Sequence, residues 1–395
     1  IAYREFPRTK TVFTVADESD LILLGYIAFF DPPKPSATEA IELLKKAGVK
    51  VKVLTGDNGL VTEKVCRNVE LEVDRIVTGT ELSQLSPVDF LETVQNNNVF
   101  VKLSPAQKEQ IVKELRKNGN VVGFMGDGIN DAPALKAADV GISVDSAVDV
   151  AKESADIVLL EKSLLVLEEG IMEGRRVFAN IVKYIRMGAS SNFGNMFSVL
   201  GASYLLPFLP MQPVQILTNN LLYDFSQTGI PADNVDEELL AKPLKWNISN
   251  VKRFMMFVGP ISSIFDYATF ALMWFFFRSS EYLNPSLGGA EKSALASLFQ
   301  TGWFVESLLT QTLIVHIIRT RRIPFFGSRA SLHMTLTTLA VVAVGAWLPY
   351  SPFAPGLGMT PLPAVYWAWI AAFLVSYGIL THLVKTWFFN RYGGD

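Results

Sequence analysis

The chain has 395 residues, of which 50% are hydrophobic, and its formal net charge is −3. This length suffices for a water-soluble domain together with a membrane part, and the near-neutral charge gives no support for a nucleic-acid partner. The single cysteine, Cys66, excludes an intramolecular disulfide, and no signal peptide is visible.

Charged residues are distributed unevenly along the chain. Residues 1–186 are rich in Lys, Glu and Asp, whereas residues 187–390 contain long apolar stretches with few charges. This change in composition predicts a boundary between a soluble half and a membrane half. Because the sequence begins at Ile1 rather than Met, inside a strand-like segment, we expect a piece of a longer protein.

The soluble half begins with apolar runs and then alternates strand-like and helix-like segments. Thr11–Val15 and Leu21–Phe30 predict strands, and Asp31-Pro32-Pro33-Lys34 predicts a rigid loop because consecutive prolines end both strand and helix. From residue 37 the alternation predicts an α/β fold, a parallel sheet with helices on both faces. The predicted helices cover 37–47, 58–68 and 105–117, with Gly48 and Ser104 as caps, and the predicted strands cover 49–54, 75–77, 99–101, 121–125, 140–142 and 157–160.

One turn in this half combines acids and glycines directly after a predicted strand. It reads Gly126-Asp127-Gly128-Ile129-Asn130-Asp131. Glycines let the backbone approach a ligand closely, and two carboxylates with an amide oxygen suit Mg²⁺. The alternative is a strand-to-helix turn whose carboxylates only cap the following helix.

Two other polar segments follow predicted strands, at the edge where α/β sheets bind ligands. Thr55-Gly56-Asp57 offers a hydroxyl and backbone N–H groups to a phosphoryl oxygen, although the tripeptide taken alone favours a helix cap, since Thr and Asp both cap well. Lys108, on the first turn of the predicted 105–117 helix, is placed to reach the same anion. A lone lysine is otherwise usually solvated.

Together the three segments resemble, in their order, the haloacid-dehalogenase pattern found in the phosphorylation domain of P-type ion-pumping ATPases. The resemblance implies ATP and Mg²⁺ as cofactors and gives each residue a role. Thr55, with Gly56 and Asp57, would bind the phosphoryl group, and Lys108 would neutralise it. Asp127 would ligate the catalytic Mg²⁺, Asp131 would hold its waters and the phosphate loop, and Asn130 would contact phosphate.

Two motifs of these pumps are absent from the sequence. The Asp-Lys-Thr-Gly-Thr pentapeptide that supplies the nucleophilic aspartate is missing, as is the Thr-Gly-Glu-Ser loop of the actuator domain. A site without its nucleophile cannot carry out the covalent step. The chain alone is therefore expected to be inactive, with the actuator and most of the nucleotide-binding domain supplied by a missing N-terminal part.

The resemblance implies a division into four parts. Residues 1–30 would be the tail of the nucleotide-binding domain and a hinge strand, and 31–162 the haloacid-dehalogenase-like (Rossmann-like) phosphorylation domain. Residues 163–187 would be a stalk helix, and 188–395 a transmembrane domain equivalent to the fifth to tenth helices of the pumps.

The membrane half predicts a six-helix transmembrane bundle. Each span has about 20 residues, as a bilayer requires, and the spans are approximately 188–206, 212–231, 254–277, 297–318, 332–350 and 364–386. Loops 232–253 and 319–331 each carry four Lys or Arg, whereas 278–296 carries two and 351–363 none. Because positive loops face the cytoplasm, we expect a multi-pass membrane protein, embedded in lipid, with a cytoplasmic soluble half. The resemblance to bacterial pumps given below implies that the membrane is the bacterial inner membrane.

Polar side chains inside the predicted spans are candidates for binding a transported ion, since burying them in lipid is costly. Interhelical hydrogen bonding is the alternative for the asparagines, and a structural role as buried acids is the alternative for Asp266 and Glu306. The candidates are Asn192, Asn195, Asn220, Asp224, Asp266 and Glu306.

The same spans resemble the ion-binding helices of P-type pumps. Calcium pumps have Glu at the position of Asn195 and Thr at that of Tyr223, which argues against Ca²⁺. Phe299-Gln300-Thr301-Gly302-Trp303-Phe304 and His316-Ile317-Ile318-Arg319-Thr320 are similar to the bacterial magnesium-importing ATPases. The sequence thus predicts the C-terminal part of a Mg²⁺ pump; a pump for another cation or protons, or a membrane-tethered phosphatase, remains the alternative.

Overall fold

The computed structural model describes residues 1–27, 33–161, 163–241, 243–244 and 246–393. The described chain divides into two compact units, Ile1–Glu168 and Glu169–Asp395. The first half of the predicted Asp31–Lys34 loop lies outside the described residues.

The first unit begins with a short antiparallel pair, β1 (Ala2–Tyr3) and β2 (Ile22–Leu23). The strand predicted over Thr11–Val15 is wrong: this segment leads into a 3₁₀ turn at Val15–Glu18. The reason is local, because the Asp17 carboxylate accepts a 2.8 Å hydrogen bond from the backbone N–H of Thr14 and closes the turn. Of the strand predicted over Leu21–Phe30, only β2 forms within the described residues.

The α/β part follows. Its strands are β3 (Val53–Leu54), β4 (Ile76–Thr78), β5 (Val99–Val101), β6 (Gly123–Met125), β7 (Val140–Val144) and β8 (Ile157–Leu159). Its helices are α1 (Ser36–Lys46), α2 (Gly59–Asn68), α3 (Gly79–Leu82), α4 (Pro87–Asn96), α5 (Pro105–Lys117), α6 (Ala132–Ala137) and α7 (Asp149–Ser154). The alternation of strand and helix therefore agrees with the predicted α/β class.

The strands pair into two parallel sheets rather than the single sheet predicted. Their orders are β3-β5-β4 and β6-β7-β8. Among the described residues no ladder joins β3 to β6; β3 is only two residues long and pairs with β5. Leu54 and Val122 nevertheless pack against the buried clusters on both sides, so the two sheets share a continuous apolar interior.

Local signals account for the helix ends. The helix predicted over 105–117 is confirmed, because the Ser104 hydroxyl accepts from the Gln107 N–H at 3.3 Å and the Gln107 side chain accepts from the Ser104 N–H at 2.9 Å. Gly48 ends α1 with φ of 73°, a conformation that favours glycine.

The second unit is helical. It contains all but the first turn of α8 (Leu164–Leu205), which begins in the first unit. Its other α-helices are α9 (Pro213–Gln227), α10 (Glu237–Leu240), α11 (Ile248–Ala271), α12 (Gly289–Ile318), α13 (Leu332–Trp347) and α14 (Ala364–Tyr392). Four helical segments of the described residues are long and apolar enough to cross a membrane: Ile248–Phe276, Gly289–Ile318, Leu332–Tyr350 and Ala364–Tyr392. The remaining two predicted spans fall on the C-terminal part of α8 and on α9, which has 15 residues.

The helices α8 and α11 pack through glycine. A Cβ added at Gly194 would lie 2.0 Å from the Ser262 hydroxyl oxygen and 2.6 Å from the Gly259 carbonyl oxygen. Only glycine therefore allows this approach, as in the small-residue contacts typical of membrane helices. The contact brings the Ser263 hydroxyl to 2.9 Å from the Gly194 carbonyl, to which it donates.

Candidate functional site

The acidic turn after β6 is held in place by β7. The Gly126 N–H donates to the Ile142 carbonyl at 3.1 Å, and the Ser143 hydroxyl donates to the Gly126 carbonyl at 2.9 Å. A Cβ at Gly126 would lie 2.5 Å from the Cβ of Asp131, so this position requires glycine. The chain can therefore fold the Asp131 side chain back over the start of the turn.

Lys108 and Asp131, predicted from separate segments, are in contact. The Lys108 ammonium lies 2.8 Å from Asp131 Oδ1, with side-chain exposures of 11% and 14%. The second oxygen, Oδ2, accepts from the Gly128 N–H at 3.2 Å. Asp131 therefore positions both the lysine and the backbone of the turn, and a partly buried pair of this kind is screened little by solvent.

The Thr55-Gly56-Asp57 segment lies beside the start of α5. The Thr55 carbonyl accepts from the Leu103 N–H at 3.0 Å, immediately before the α5 cap. The Thr55 hydroxyl donates to Asp57 at 3.0 Å and accepts from the Asp57 N–H at 3.1 Å. The cap of α2 is the next residue, Asn58, whose side chain accepts from the Val61 N–H at 3.0 Å. Asn58, rather than Thr55 or Asp57, therefore caps α2.

Two contacts connect the three segments: Thr55 is bonded to Leu103, just before α5, and Lys108 on the first turn of α5 pairs with Asp131 in the turn after β6. Asp127 and Asn130 are exposed there, and the Asp127 carbonyl accepts from the Val148 N–H at 3.2 Å. The exposed carboxylate of Asp127 is a hard oxygen donor that fits Mg²⁺. In the described part of the chain no group of three or more His, Cys, Asp or Glu is placed to hold a metal.

The polar residues predicted in the membrane spans fall into two sets. Asn192, Asn220 and Asp224 are exposed on α8 and α9, and Asn195 is half-buried. Asn220 and Asp224 are one turn apart, so they lie on the same side of α9. Asn219, which sequence reasoning passed over, is buried and donates to the Phe304 carbonyl at 3.3 Å. α9 thus presents one polar side to α12 and another away from the described helices.

Asp266 and Glu306 form the second set and are enclosed, with exposures of 2% and 1%. Asp266 Oδ2 accepts from the Ser198 hydroxyl at 2.6 Å, and Oδ1 accepts from the Trp303 indole N–H at 2.6 Å. No donor among the described residues reaches either carboxyl oxygen of Glu306. The structure therefore separates these two acids from the exposed set on α8 and α9.

A buried charge cluster escaped sequence reasoning altogether. Asp233 Oδ2 lies 3.0 Å from the Lys183 ammonium and 2.7 Å from the Arg319 guanidinium, and the three side chains are 0–6% exposed. Burial alone would raise the pKa of Asp233, but the adjacent Lys183 and Arg319 charges hold it below its ordinary value. Burial lowers the pKa of Lys183, against the pull of Asp233. No local pattern marks this cluster, since its members are 50 and 86 residues apart.

Comparison with known proteins covers both units. Residues 4–139 match the family model of haloacid dehalogenase-like hydrolases, and residues 208–387 match that of the cation transporting ATPase C-terminus. Over 393 residues the chain is 54% identical to the magnesium-transporting ATPase, P-type 1, of Escherichia coli strain K12. The matched region covers 100% of this chain and 42% of that protein. The chain therefore carries the domains of both matched families and is similar along its whole length to part of a P-type ATPase.

A second magnesium-transporting relative matches with the same coverage, and a calcium-transporting relative matches less completely. The magnesium-transporting ATPase, P-type 1, of Salmonella typhimurium strain LT2 is 53% identical over 393 residues, 100% of this chain and 42% of that protein. The calcium-transporting ATPase of Bacillus subtilis strain 168 is 37% identical over 235 residues, 59% of this chain and 26% of that protein. The chain thus spans about two fifths of the length of its magnesium-transporting relatives.

Proposed function

We propose that the chain is the C-terminal part of an ATP-driven P-type pump that imports Mg²⁺ across the bacterial plasma membrane. The observation that carries this proposal is the match to magnesium-transporting relatives, which runs through the whole chain at 54% identity, whereas the Bacillus subtilis calcium-transporting relative matches over 59% of it. The phospho-aspartate would form on a residue outside this chain, in the part that the relatives have in addition.

The soluble half would supply the surroundings of that aspartate. Thr55, with Gly56 and Asp57, would bind the phosphoryl group, and Lys108 would neutralise its charge while Asp131 holds the lysine in place. Asn130 would contact phosphate. The catalytic Mg²⁺, for which Asp127 is a ligand and Asp131 orders the loop, would supply charge compensation to the transferring group.

The domain limits follow the four-part division at residues 31, 163 and 188, with six spans rather than four. The case for six is that α8 continues without interruption from Leu164 to Leu205, long enough for a stalk plus a span. A continuous helix would transmit movement from the phosphorylation domain to the membrane. The loops richest in Lys and Arg, 232–253 and 319–331, would then face the cytoplasm.

The transported Mg²⁺ would be bound by oxygens on α8 and α9. Asn192, Asn220 and Asp224 are exposed and Asn195 is half-buried, and their amide and carboxylate oxygens are ligands that suit Mg²⁺ while it keeps part of its water. The helix α9 ends near Gly229 and Pro231, which free backbone carbonyls in the way that cation sites of transporters use.

The test is growth rescue by the complete protein in cells that depend on it for Mg²⁺. Asp224→Asn is expected to abolish rescue, because it removes the single carboxylate of the proposed set. Glu281→Gln, which changes an exposed acid in the short 3₁₀ helix Ser279–Leu283 between α11 and α12, is the matched control and should rescue normally. Normal rescue by Asp224→Asn would contradict the site.

A pump for another cation is favoured by the similarity to calcium-transporting ATPases. Metal-dependent ATPase assays on the complete protein with Mg²⁺, Ca²⁺, Ni²⁺ and K⁺ distinguish it. A membrane-tethered phosphatase is favoured by the hydrolase match over residues 4–139. Phosphatase activity of residues 1–186 without an added partner would support that reading instead.

A further inference from the structure

A large cavity lies among α12, α13, α14 and the loop that joins α12 to α13. Its volume is about 750 Å³, within the range of roughly 300–1,000 Å³ that is typical of small-molecule sites. All three helices are long and apolar enough to cross a membrane. The candidate ligands of the transported ion, all of them among the described residues, do not line it, so the cavity is separate from the site proposed above.

The lining suits hydrocarbon rather than an ion. Among the described residues that line the cavity there is no Asp, Glu, Lys or Arg. Three lining threonines, Thr312, Thr335 and Thr338, each donate to the backbone carbonyl four residues earlier, at 2.7–2.9 Å. Their hydroxyls therefore need no partner from a ligand, and most of the other lining side chains are aliphatic or phenylalanine. A polar ligand would lose its hydration here without gaining hydrogen bonds in return.

The cavity opens sideways, along α14. Val375, Ile379 and Leu383 line it at successive turns of this helix and are 58–63% exposed, and Phe326 of the loop is 90% exposed. Side chains that line a cavity and are still exposed mark its opening. Because α14 is long and apolar enough to cross a bilayer, the molecules that meet this opening in a membrane are lipids.

The two histidines of the lining lie at the end of the cavity nearest the loop. His316 is two residues before the end of α12, and its ring stacks on Phe325 of the loop with centroids 5.3 Å apart. His382 is three residues before Lys385, whose ammonium donates to the Ile317 carbonyl at 2.9 Å. The Nδ1 atom of His382 is enclosed and has no partner among the described residues. An imidazole nitrogen can carry a proton and donate it, so a ligand carbonyl at this end would satisfy it.

The loop beside that end is positively charged. Residues 319–331 contain four arginines and no Asp or Glu. Arg322 directly precedes the cavity-lining segment 323–326, and Arg329 follows it by three residues. Both arginines are exposed, and the partner of Arg322 is the exposed Glu238, a kind of pair that contributes little. Since guanidinium groups bind phosphate oxygens through paired hydrogen bonds, the charge of the loop complements a phosphate group.

We propose that the cavity binds a membrane phospholipid. One acyl chain fills it from the leaflet next to the loop, an ester carbonyl accepts from His382 Nδ1, and the phosphate lies against Arg322 and Arg329. The chain fills a space whose lining would otherwise lack van der Waals partners, and it ties α13 to α12 and α14. Because the lipid binds the folded helices, it stabilises the membrane unit by mass action. This binding does not depend on which ion the complete protein transports.

The first measurement maps the acyl chain. The complete purified protein in detergent is illuminated with a phosphatidylglycerol that carries a diazirine near the end of one acyl chain, and labelled peptides are identified by mass spectrometry. Label is expected on the cavity-lining turns of α12, α13 and α14, and an excess of unlabelled phosphatidylglycerol should remove it. Label spread evenly over the apolar helices, or label that the excess lipid does not remove, would overturn the proposal.

Two variants at one glycine provide the matched comparison. A Cβ added at Gly378 would lie 3.8 Å from Ile317 Cδ1 and 3.9 Å from Leu313 Cδ2, which are ordinary contacts, so Gly378→Ala should fold and keep the label. Gly378→Leu places a larger side chain in the cavity and should lower the label by about tenfold, since each methylene kept out of an apolar site weakens binding several-fold. Leu339→Trp fills the cavity from α13 and should act in the same way, so that misfolding of one variant does not decide the result. Full labelling of a folded filling variant would overturn the proposal.

The second measurement tests the phosphate. Phosphatidylglycerol, phosphatidylethanolamine and diacylglycerol with identical chains compete against the same photolabel. Both phospholipids should compete better than diacylglycerol, which lacks the phosphate, by about tenfold or more, because two arginine contacts are together worth that much in affinity.

This difference should disappear in the double variant Arg322→Ala/Arg329→Ala. The control Arg278→Ala changes an exposed arginine between α11 and α12 and should leave the difference unchanged. Equal competition by diacylglycerol in the wild type would overturn the proposal. Neither measurement uses ATP or Mg²⁺, so failure of the proposed pump would leave both results as they are.

Discussion

At the scale of single residues, the contact between Lys108 and Asp131 explains why a lysine lies at the carboxyl edge of the sheet. A surface lysine gains little from an exposed ion pair, but this pair is 11% and 14% exposed and tied to the backbone of the turn through Gly128. The arrangement fixes the ammonium group in advance, which is the condition under which a charge stabilises a transition state most.

In the complete protein, if it is the proposed pump, Lys108→Ala is expected to slow phosphoenzyme formation from ATP by on the order of 10²- to 10³-fold, the loss typical of removing one preorganised electrostatic group. Rapid-quench measurement of acid-stable phosphoenzyme gives the rate. Lys113→Ala is the matched control: Lys113 is on the same helix and 54% exposed, and it pairs with Glu109. Equal rates for the two variants would remove Lys108 from the site.

Residue-level reasoning from the sequence succeeded where the chemistry is local. Lys108 was placed on the first turn of a helix by Ser104 and Pro105, and the cap forms as those residue types dictate. It failed to see that Asn58, rather than its neighbours Thr55 and Asp57, caps α2. It also could not see the donors to Asp266, because Ser198 and Trp303 are 68 and 37 residues away in sequence.

At the scale of elements, sequence periodicity defined helices better than strands. The helix over 105–117 was predicted at both ends, whereas the strand over 49–54 forms only at Val53–Leu54. A helix carries its hydrogen bonds and caps within itself, while the extent of a strand depends on partners elsewhere in the chain. The split into two sheets depends on which strands pair with each other, and no single segment of the sequence determines that.

The cluster of Lys183, Asp233 and Arg319 joins three elements of the membrane unit: α8, the segment after α9 and the end of α12. Asp233 also accepts from the Ser331 N–H at 3.0 Å, just before α13. One buried carboxylate thus satisfies two cations and a backbone donor at the meeting point of four helices. Removing it leaves both cations buried without an anion, which is more costly than losing an exposed pair.

Asp233→Asn is accordingly expected to destabilise the membrane unit by about 3–5 kcal/mol, seen as earlier thermal unfolding of the full chain in detergent. The control Glu238→Gln breaks an exposed pair with Arg322 and should cost about 1 kcal/mol or less. Because the pKa of Asp233 is held below its ordinary value, its contribution is present above the unfolded-state pKa, about 3.9, and is lost as pH falls through the lower folded-state pKa. Equal stability of the two variants would contradict this role.

At the scale of the whole molecule, composition alone separated the soluble from the membrane half, and the division into units at Glu168 and Glu169 lies close to the predicted start of the stalk. The number of spans is harder to read. α9 has only 15 residues, fewer than a straight helix needs to cross a bilayer, so a test that requires a long apolar helix does not select it.

The loop between α8 and α9 decides between six spans and four. If both helices cross the bilayer, Leu209, which is 57% exposed, faces the outside, and the segment holding Glu237 faces the cytoplasm. In a complete protein with no other cysteine, Leu209→Cys should react with a membrane-impermeant maleimide in intact spheroplasts, and Glu237→Cys only after lysis. Reaction at Leu209→Cys only after lysis would leave α8 and α9 on the cytoplasmic side. The proposed Mg²⁺ ligands would then lie outside the membrane, where they could not line a path across it.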